Sequence, residues 1–285
     1  VTSRPRPAEC PPGGRTECGI ARRTVLRWRD GRCEEADDAI AEEVPVALVY
    51  NGRTHAVMMA TPCDLEDFAL GFSLSEGLIG HPGELEAIAV RQRLEGIELE
   101  LRVPESRADA IFARDRGLSG RTGCGLCGVR ALEDALRQPA PVADGIGIDA
   151  VAVQRALAGL HGRQPMNAAS GATHAAAWAS PDGGITLLRE DVGRHNALDK
   201  LLGALARADT DFGAGMVLVS SRASSEMVQK AATLGVTVLA AISAPTALAI
   251  QLAASAGLTL IGFVRSGSHV VYANRAPVKN EGETR

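Results

Sequence analysis

Aromatic side chains are scarce in this chain: phenylalanine, tryptophan and tyrosine supply 3% of its 285 residues. A basic surplus is missing too, because 30 lysines and arginines face 34 aspartates and glutamates, for a formal net charge of −4. Such a surface offers little attraction to a phosphate backbone and few rings to stack on bases, so nucleic acid is not expected as a partner. The arginines near the start are not followed by an apolar h-region, so no secretory signal is visible and a cytoplasmic location is expected. Uncharged stretches are rare. Residues 236–264 hold no charge and are long enough to span a bilayer. Pro245 and Gly257 interrupt that stretch, and alanine, serine and threonine are frequent in it. It reads as strand, helix and strand inside an α/β domain, with no membrane contact.

Cysteine is also sparse, with six in the chain. A cytosolic chain is not expected to build a disulfide network. Cys10, Cys18, Cys33 and Cys63 stand alone and read as buried or incidental thiols. Cys124 and Cys127 alone form a motif.

The length calls for one large or two modest domains with an ample core. The organisation read from the pattern is a disordered leader (1–20), an α+β domain (21–116), a glycine-rich loop (117–128), an α/β domain (129–275) and a tail (276–285). In the α+β domain, strands at 44–50 and 54–60 flank Asn51-Gly52, a dipeptide suited to the positive φ of a two-residue hairpin. A helix follows through Leu65, Phe68, Ala69, Phe72 and Glu76, with Asp64 as cap and Gly77 as stop. Strands are expected near 85–91 and 97–103. Five glycines fall between Gly117 and Gly128, which excludes regular structure there. Val129, Leu132 and Leu136 then recur at helical spacing, placing Cys127 just ahead of a helix N-terminus.

The second half alternates: strands at 185–189, 216–220, 236–242 and 258–264, helices at 196–206, 226–234 and 245–254. Alternation of this kind implies a mainly parallel sheet covered on both faces. Its strands end in Glu190 and Asp191, in Ser220, Ser221 and Arg222, in Ser243, and in Arg265 and Ser266. The carboxyl ends of such strands form a crevice into which helix N-termini point free N–H groups. With Arg222 and Arg265 on that edge, an anionic, phosphorylated ligand is favoured. Ser224 or Ser225 and Ser243 also suit plain helix caps. Glu190, Asp191, Arg194, His195, Asp199 and Lys200 crowd one strand-to-helix turn. Asp199 and Lys200 fit a solvated helix start, Asp191 fits a cap, and His195 is a candidate acid or base.

Cys124-Gly125-Leu126-Cys127 admits three chemistries. Dithiol exchange uses such a pair at a strand-to-helix junction near the start of a βαβ unit, whereas this pair lies mid-chain among glycines. Zinc needs about four ligands, and neither a second Cys-x-x-C nor a close histidine pair is supplied. A zinc deaminase would also show His-x-Glu upstream and proline before the first cysteine. The third is sulfur carriage, in which a thiolate takes an outer sulfur as persulfide and hands it on. Arg121, Arg130 and the following helix dipole would each favour the thiolate. Chemistry alone leaves carriage and redox exchange both open.

Taken together the motifs resemble the formate dehydrogenase accessory sulfurtransferase family, FdhD. They are Ala60-Thr61-Pro62 with Asp64, Glu66 to Phe72, the Cys-Gly-Leu-Cys-Gly loop, Glu190 to Lys200, Ser221 to Met227, Ser243 to Thr246 and Ile261 to Arg265, in order. The resemblance implies a cytidine-deaminase-like three-layer α/β domain without zinc, preceded by a smaller α+β domain, and a homodimer. It implies a persulfide carrier, with Cys124 holding the sulfur and Cys127 assisting. The donor would be a cysteine desulfurase, the acceptor molybdenum bis(molybdopterin guanine dinucleotide), and the client a formate dehydrogenase. Phe263, Val264, Arg265, Ser266, Gly267 and Ser268 match the segment where the family holds the cofactor's nucleotide, with Arg222 and Ser243 beside it. No intrinsic metal is expected. A guanine-nucleotide-binding chaperone that moves no sulfur, and a dithiol reductase, are the alternatives.

Overall fold

The structure, a computed structural model, describes residues 18–115 and 138–274. Cys124, Cys127, the glycine-rich stretch, the helix expected after Val129, most of the leader and the tail lie outside the described residues. The described part begins with a two-stranded hairpin, β1 (Ile20–Arg29) and β2 (Arg32–Ala41). Asp30 and Gly31 turn it with φ of 51° and 80°, the positive pair that a tight hairpin needs. The sequence pattern predicts no strand at this place, since nearly half of the positions carry charge.

A four-stranded sheet follows in the order β4-β3-β6-β5, from β3 (Val44–Tyr50), β4 (Arg53–Ala60), β5 (Ala87–Gln92) and β6 (Ile97–Arg102). Asn51-Gly52 forms the expected turn, with Asn51 at φ 46°. The helices α1 (Leu65–Ser75) and α2 (Glu105–Asp115) belong to this half. Its core holds Val46, Leu48, Tyr50, Phe68, Phe72, Leu99 and Ile111. Asp64 precedes α1 as expected, but its side chain makes no capping hydrogen bond because its backbone is left-handed. The carboxylate lies 3.6 Å from Arg189 instead.

The second half is a six-stranded sheet in the order β12-β11-β10-β9-β7-β8. Its strands are β7 (His174–Ala179), β8 (Ile185–Asp191), β9 (Met216–Val219), β10 (Val238–Ala241), β11 (Thr259–Arg265) and β12 (Ser268–Ala273). The expectation of a mainly parallel sheet is corrected by this topology. Only β9, β10 and β11 are joined in parallel. The β7–β8 and β11–β12 connections are short hairpins, and β7 meets β9 antiparallel. Short turns can only reverse the chain, whereas parallel neighbours need a crossover. Two reversals nevertheless leave β8, β9, β10 and β11 pointing the same way, so their carboxyl ends share one edge.

Helices cover both faces. On one side lies α3 (Ala150–His161), packed through Val153, Ala156, Leu157 and Leu160. The short α4 (Pro165–Ser170) leads into β7. On the other side lie α5 (Arg194–Arg207), α6 (Ser225–Thr233) and α7 (Ala247–Ala256). The uncharged stretch 236–264 thus contains β10, α7 and β11. No described helix is long and apolar enough to cross a membrane. The protein is therefore a mixed α/β fold with several sheets.

The two halves meet where α1 crosses α5, and two glycines permit the contact. A Cβ on Gly71 would stand 1.8 Å from the Asp199 carbonyl oxygen, and one on Gly203 would stand 1.9 Å from that of Asp67. Within the first half, Cys18 and Cys63 form a disulfide, with Cα atoms 5.9 Å apart across 45 positions. This corrects the reading of both as incidental thiols. Their pairing depends on the hairpin β1–β2 folding back, which spacing alone does not reveal.

The helix crossing generates a stability prediction. Alanine normally stabilises a helix over glycine by about 1 kcal/mol. Gly71→Ala and Gly203→Ala should instead each destabilise by about 1–3 kcal/mol, because backbone must move to admit the methyl group. Urea unfolding measures this, and a midpoint equal to or above that of the parent would show that the helices have room to separate.

Candidate functional site

The strand ends meet along one line. Crossing the sheet, the edge runs from Asp191 at the end of β8, past His174 at the start of β7, to Ser220 and Ser221 after β9. Then come Ser243 after β10 and Phe263 to Arg265 on β11. Backbone hydrogen bonds hold the outer part together: Ser243 N–H donates to Ser221 O at 3.3 Å, and Phe263 N–H donates to Ser243 O at 3.2 Å. Arg222, Ser243 and the 263–268 segment, widely separated in sequence, are thereby neighbours.

Phe263 is 42% exposed at φ 49°, an unusual conformation for a side chain of this size. The pairing of β11 with β12 shifts register between Gly262 and Arg265, and this irregularity accommodates it. Arg265 leans across the edge, its Nη1 donating to the Ile242 carbonyl and to that of Val264 at 3.0 Å. Val264 is buried. Ser266 and Gly267 form the two-residue β11–β12 turn, closed by the Arg265–Ser268 pair. The Gly267 N–H donates to Gln154 Oε1 at 2.8 Å, while Gln154 Nε2 donates to Ser268 O at 3.2 Å. This turn is therefore anchored from α3.

The serine caps resolve unequally. Ser224 is the N-cap residue of α6, but its hydroxyl makes no capping bond. Ser243 is not a cap at all, because Thr246 takes that position on α7 and accepts from Ala249 N–H at 3.2 Å.

The charged turn from Glu190 to Lys200 is the largest departure from expectation. Lys200 and Asp199 are not solvated: they are 0% and 1% exposed. Lys200 Nζ lies 2.6 Å from Asp191 Oδ2 and donates to Thr61 Oγ1 at 2.8 Å. Asp191 Oδ2 also accepts from the Thr61 N–H and hydroxyl, while Oδ1 accepts from Gly193 N–H and Asn196 Nδ2. Burial pushes the Lys200 ammonium below its ordinary value, and the Asp191 carboxylate opposes that. Beside it, Asp199 bonds Ser75 and Lys230, and Lys230 reaches Glu76 at 2.8 Å. Burial works against the Lys230 charge, but Asp199 and Glu76 outweigh it and hold the group above its ordinary value. Glu190 accepts the N–H groups of Met166 and Asn167 at the start of α4 and the Thr173 hydroxyl. Asp191, Asp199 and Lys200 thus build a buried polar frame between the halves, while Glu190 ties α4 to β8 within the second half. The frame's partners Ser75 and Lys230 escape a reading of the sequence, since a lone serine or lysine gives no local signal, and Thr61 enters that reading only within the Ala60-Thr61-Pro62 motif.

Arg194 and His195 stay at the edge instead. His195 Nε2 lies 2.6 Å from Glu226 Oε2, an ion pair when the imidazole is protonated. This joins the first turns of α5 and α6. Burial, then Arg194 and His195, push His174 below its ordinary value.

A mixed sheet docked on a smaller α+β sheet, with one cation-bearing edge, defines a structural class that recurs. A crystal structure described as that of a formate dehydrogenase accessory protein from Desulfotalea psychrophila matches with TM-score 0.70 and 25% identity, over 89% of this chain and 96% of that one. The chain belongs to the FdhD/NarQ family, whose model matches residues 41–279. It is 56% identical over 256 residues to a protein of Xanthomonas euvesicatoria pv. vesicatoria named sulfur carrier protein FdhD, covering 90% of this chain and 91% of that protein. It is 54% identical over 257 residues to a protein of the same name from Cupriavidus necator, covering 90% and 89%.

The buried pair generates the second prediction. Lys200→Met leaves Asp191 charged and unpaired in the interior, which should cost about 3–5 kcal/mol. Adding Asp191→Asn should recover part of the loss, so the double variant should fall short of the summed single effects. Urea unfolding of the four proteins completes the cycle. Strict additivity would mean that the two groups do not stabilise one another.

Proposed function

We propose that this protein carries sulfur as a persulfide and supplies it to the molybdenum cofactor of a formate dehydrogenase. The observation that carries this reading is its similarity, along nine-tenths of its length, to proteins named sulfur carrier protein FdhD. In the first step the Cys124 thiolate attacks the outer sulfur of a persulfide on a cysteine desulfurase. A new S–S bond forms, the old one breaks, and the desulfurase thiolate departs with the bonding electrons. Cys127 assists release of the carried sulfur. The acceptor, and so the second substrate of the transfer, is molybdenum bis(molybdopterin guanine dinucleotide). The protein acts in the cytoplasm as a homodimer.

The sheet edge suits the nucleotide half of that acceptor. Phe263 offers an exposed ring on which guanine can stack. Arg265 spends one guanidinium nitrogen on backbone carbonyls, leaving the rest of its fork for phosphate. Arg222 and Ser243 stand beside it.

Cys124→Ala should abolish activation of formate dehydrogenase in a complemented strain while leaving the unfolding midpoint unchanged. Mass spectrometry after incubation with desulfurase and cysteine should show one added sulfur on the parent and none on the variant. Full activation by Cys124→Ala would favour a cofactor chaperone and end the carrier reading. Cys127→Ala should be impaired as well.

Arg265→Ala tests the edge. Loss of one charge-assisted contact should weaken GDP, a surrogate for the nucleotide half, by roughly tenfold or more. Persulfide formation on Cys124 should persist. Calorimetric titration reads the first, mass spectrometry the second, and unchanged GDP affinity would move the nucleotide away from this edge.

A further inference from the structure

The β1–β2 ribbon forms a sheet of its own, apart from the two larger sheets. An isolated two-stranded ribbon is marginal in water. This one gains little from burial, because Leu26 and Trp28 are 73% and 72% exposed and α4 is its main neighbour in the fold. Two contacts fasten its base. Glu42 N–H donates to the Gly19 carbonyl oxygen at 2.7 Å, and the Cys18–Cys63 disulfide joins the start of β1 to the turn between β4 and α1. That turn also carries Thr61, which bonds Asp191 and Lys200, and Asp64, which faces Arg189. The arm is therefore latched to the segment on which contacts between the halves rest.

The fold has no need of this bond as a staple. Small chains use disulfides where a core is insufficient, whereas the first half has an ample apolar core around Phe68 and Leu99. The two sulfurs also differ in access. Cys18 is exposed, but Cys63 is 7% exposed. Gly19 closes over the inner sulfur, so that a Cβ there would stand 3.0 Å from Cys63 Sγ and 2.8 Å from Met166 Sδ. Thiol exchange begins on the sulfur that an incoming thiolate can reach. A released Cys18 thiol would also find an acceptor, because its Sγ lies 3.6 Å from the Pro62 carbonyl oxygen.

We propose that Cys18 and Cys63 form a reversible thiol switch, in which a small thiol is added at Cys18 and the β1–β2 arm is unlatched. The incoming thiolate attacks Cys18 Sγ and forms a new S–S bond with it. The Cys18–Cys63 bond breaks, and Cys63 departs with the bonding electrons and takes up a proton. A second thiolate displaces Cys18 from the mixed disulfide, so the pair has gained two electrons and two protons and the reductant has become a disulfide. The disulfide of the same small thiol drives the reverse. This switch is separate from sulfur carriage at Cys124 and stands or falls without it.

The experiment equilibrates the full chain in mixtures of glutathione and glutathione disulfide, then alkylates free thiols and maps them by peptide mass spectrometry. Cys18 and Cys63 should become alkylated together as the buffer grows more reducing, and the glutathione adduct caught on the way should sit on Cys18. Trypsin should cut the folded chain between Arg22 and Arg32 about tenfold or more faster once the pair is reduced. Cys18→Ser should be cut at the faster rate in every buffer, and Cys63→Ala provides the same reading should that variant unfold. A pair that stays alkylated in excess glutathione disulfide, or stays closed in excess glutathione while the chain is folded, overturns the switch. A crosslink from Cys18 to any cysteine other than Cys63 overturns it too. An adduct on Cys63 overturns the entry point, and a tryptic rate indifferent to reduction overturns the latch.

Discussion

The Asp191 carboxylate is the constraint on which the remaining structure turns. It is wholly buried, accepts four hydrogen bonds and faces Lys200, and two of its bonds come from Thr61 in the other half of the protein. Stripping water from a carboxylate and an ammonium costs several kcal/mol per ion, and an apolar replacement of similar shape could be as stable. What the pair supplies is uniqueness. Both carboxylate oxygens of Asp191 are held by donors from separate elements, so α1 cannot slide on α5 without breaking several bonds together. The Gly71–Gly203 crossing acts in the same sense, because backbone in direct contact admits one register only.

This frame explains the different treatment of neighbouring charges. Within eleven residues from Glu190 to Lys200, four ionisable side chains face inward and are saturated, while Arg194 and His195 face the edge. The sorting follows helix geometry. Asn196, Asp199, Lys200 and Gly203 lie on the α5 side against α1, and Arg194 and His195 belong to its first turn, where N–H groups have no intrahelical partners.

Much of the fold is legible in the sequence, for identifiable reasons. Asn51-Gly52 declares its hairpin, and the strands and helices of the second half appear near their observed bounds because apolar runs and helical spacing alternate there. β7 escapes because Ala175, Ala176 and Ala177 carry weak strand preference. The β1–β2 hairpin escapes because charged positions hide its alternation, and β12 because it is short and its exposed positions follow no clear alternation. Strand direction is misjudged, since a pattern of strands and helices is silent about a hairpin inserted between them. The shared edge survives that error because the reversals come in a compensating pair, β7 and β8. Lys200 reads as solvated because lysines are rarely buried unless paired, and its partner Thr61 lies 139 positions away. Gly71 and Gly203 are the overlooked signal: glycines inside helices lower stability unless backbone must approach closely.

The outer part of the edge is held still through backbone: Ser221, Ser243 and Phe263 are linked strand to strand, and Gln154 locks the turn at Gly267. Phe263 shows the cost of that arrangement. A bulky residue in the left-handed region is disfavoured by about 1–2 kcal/mol, and it persists because β11 and β12 hold the irregularity on both sides. Relaxing Phe263 to an ordinary strand conformation would remove the irregularity and shift Arg265 along the ladder, away from Ile242 and the edge. Strain at the aromatic position and placement of the arginine at the edge are therefore one feature of the β11–β12 pairing.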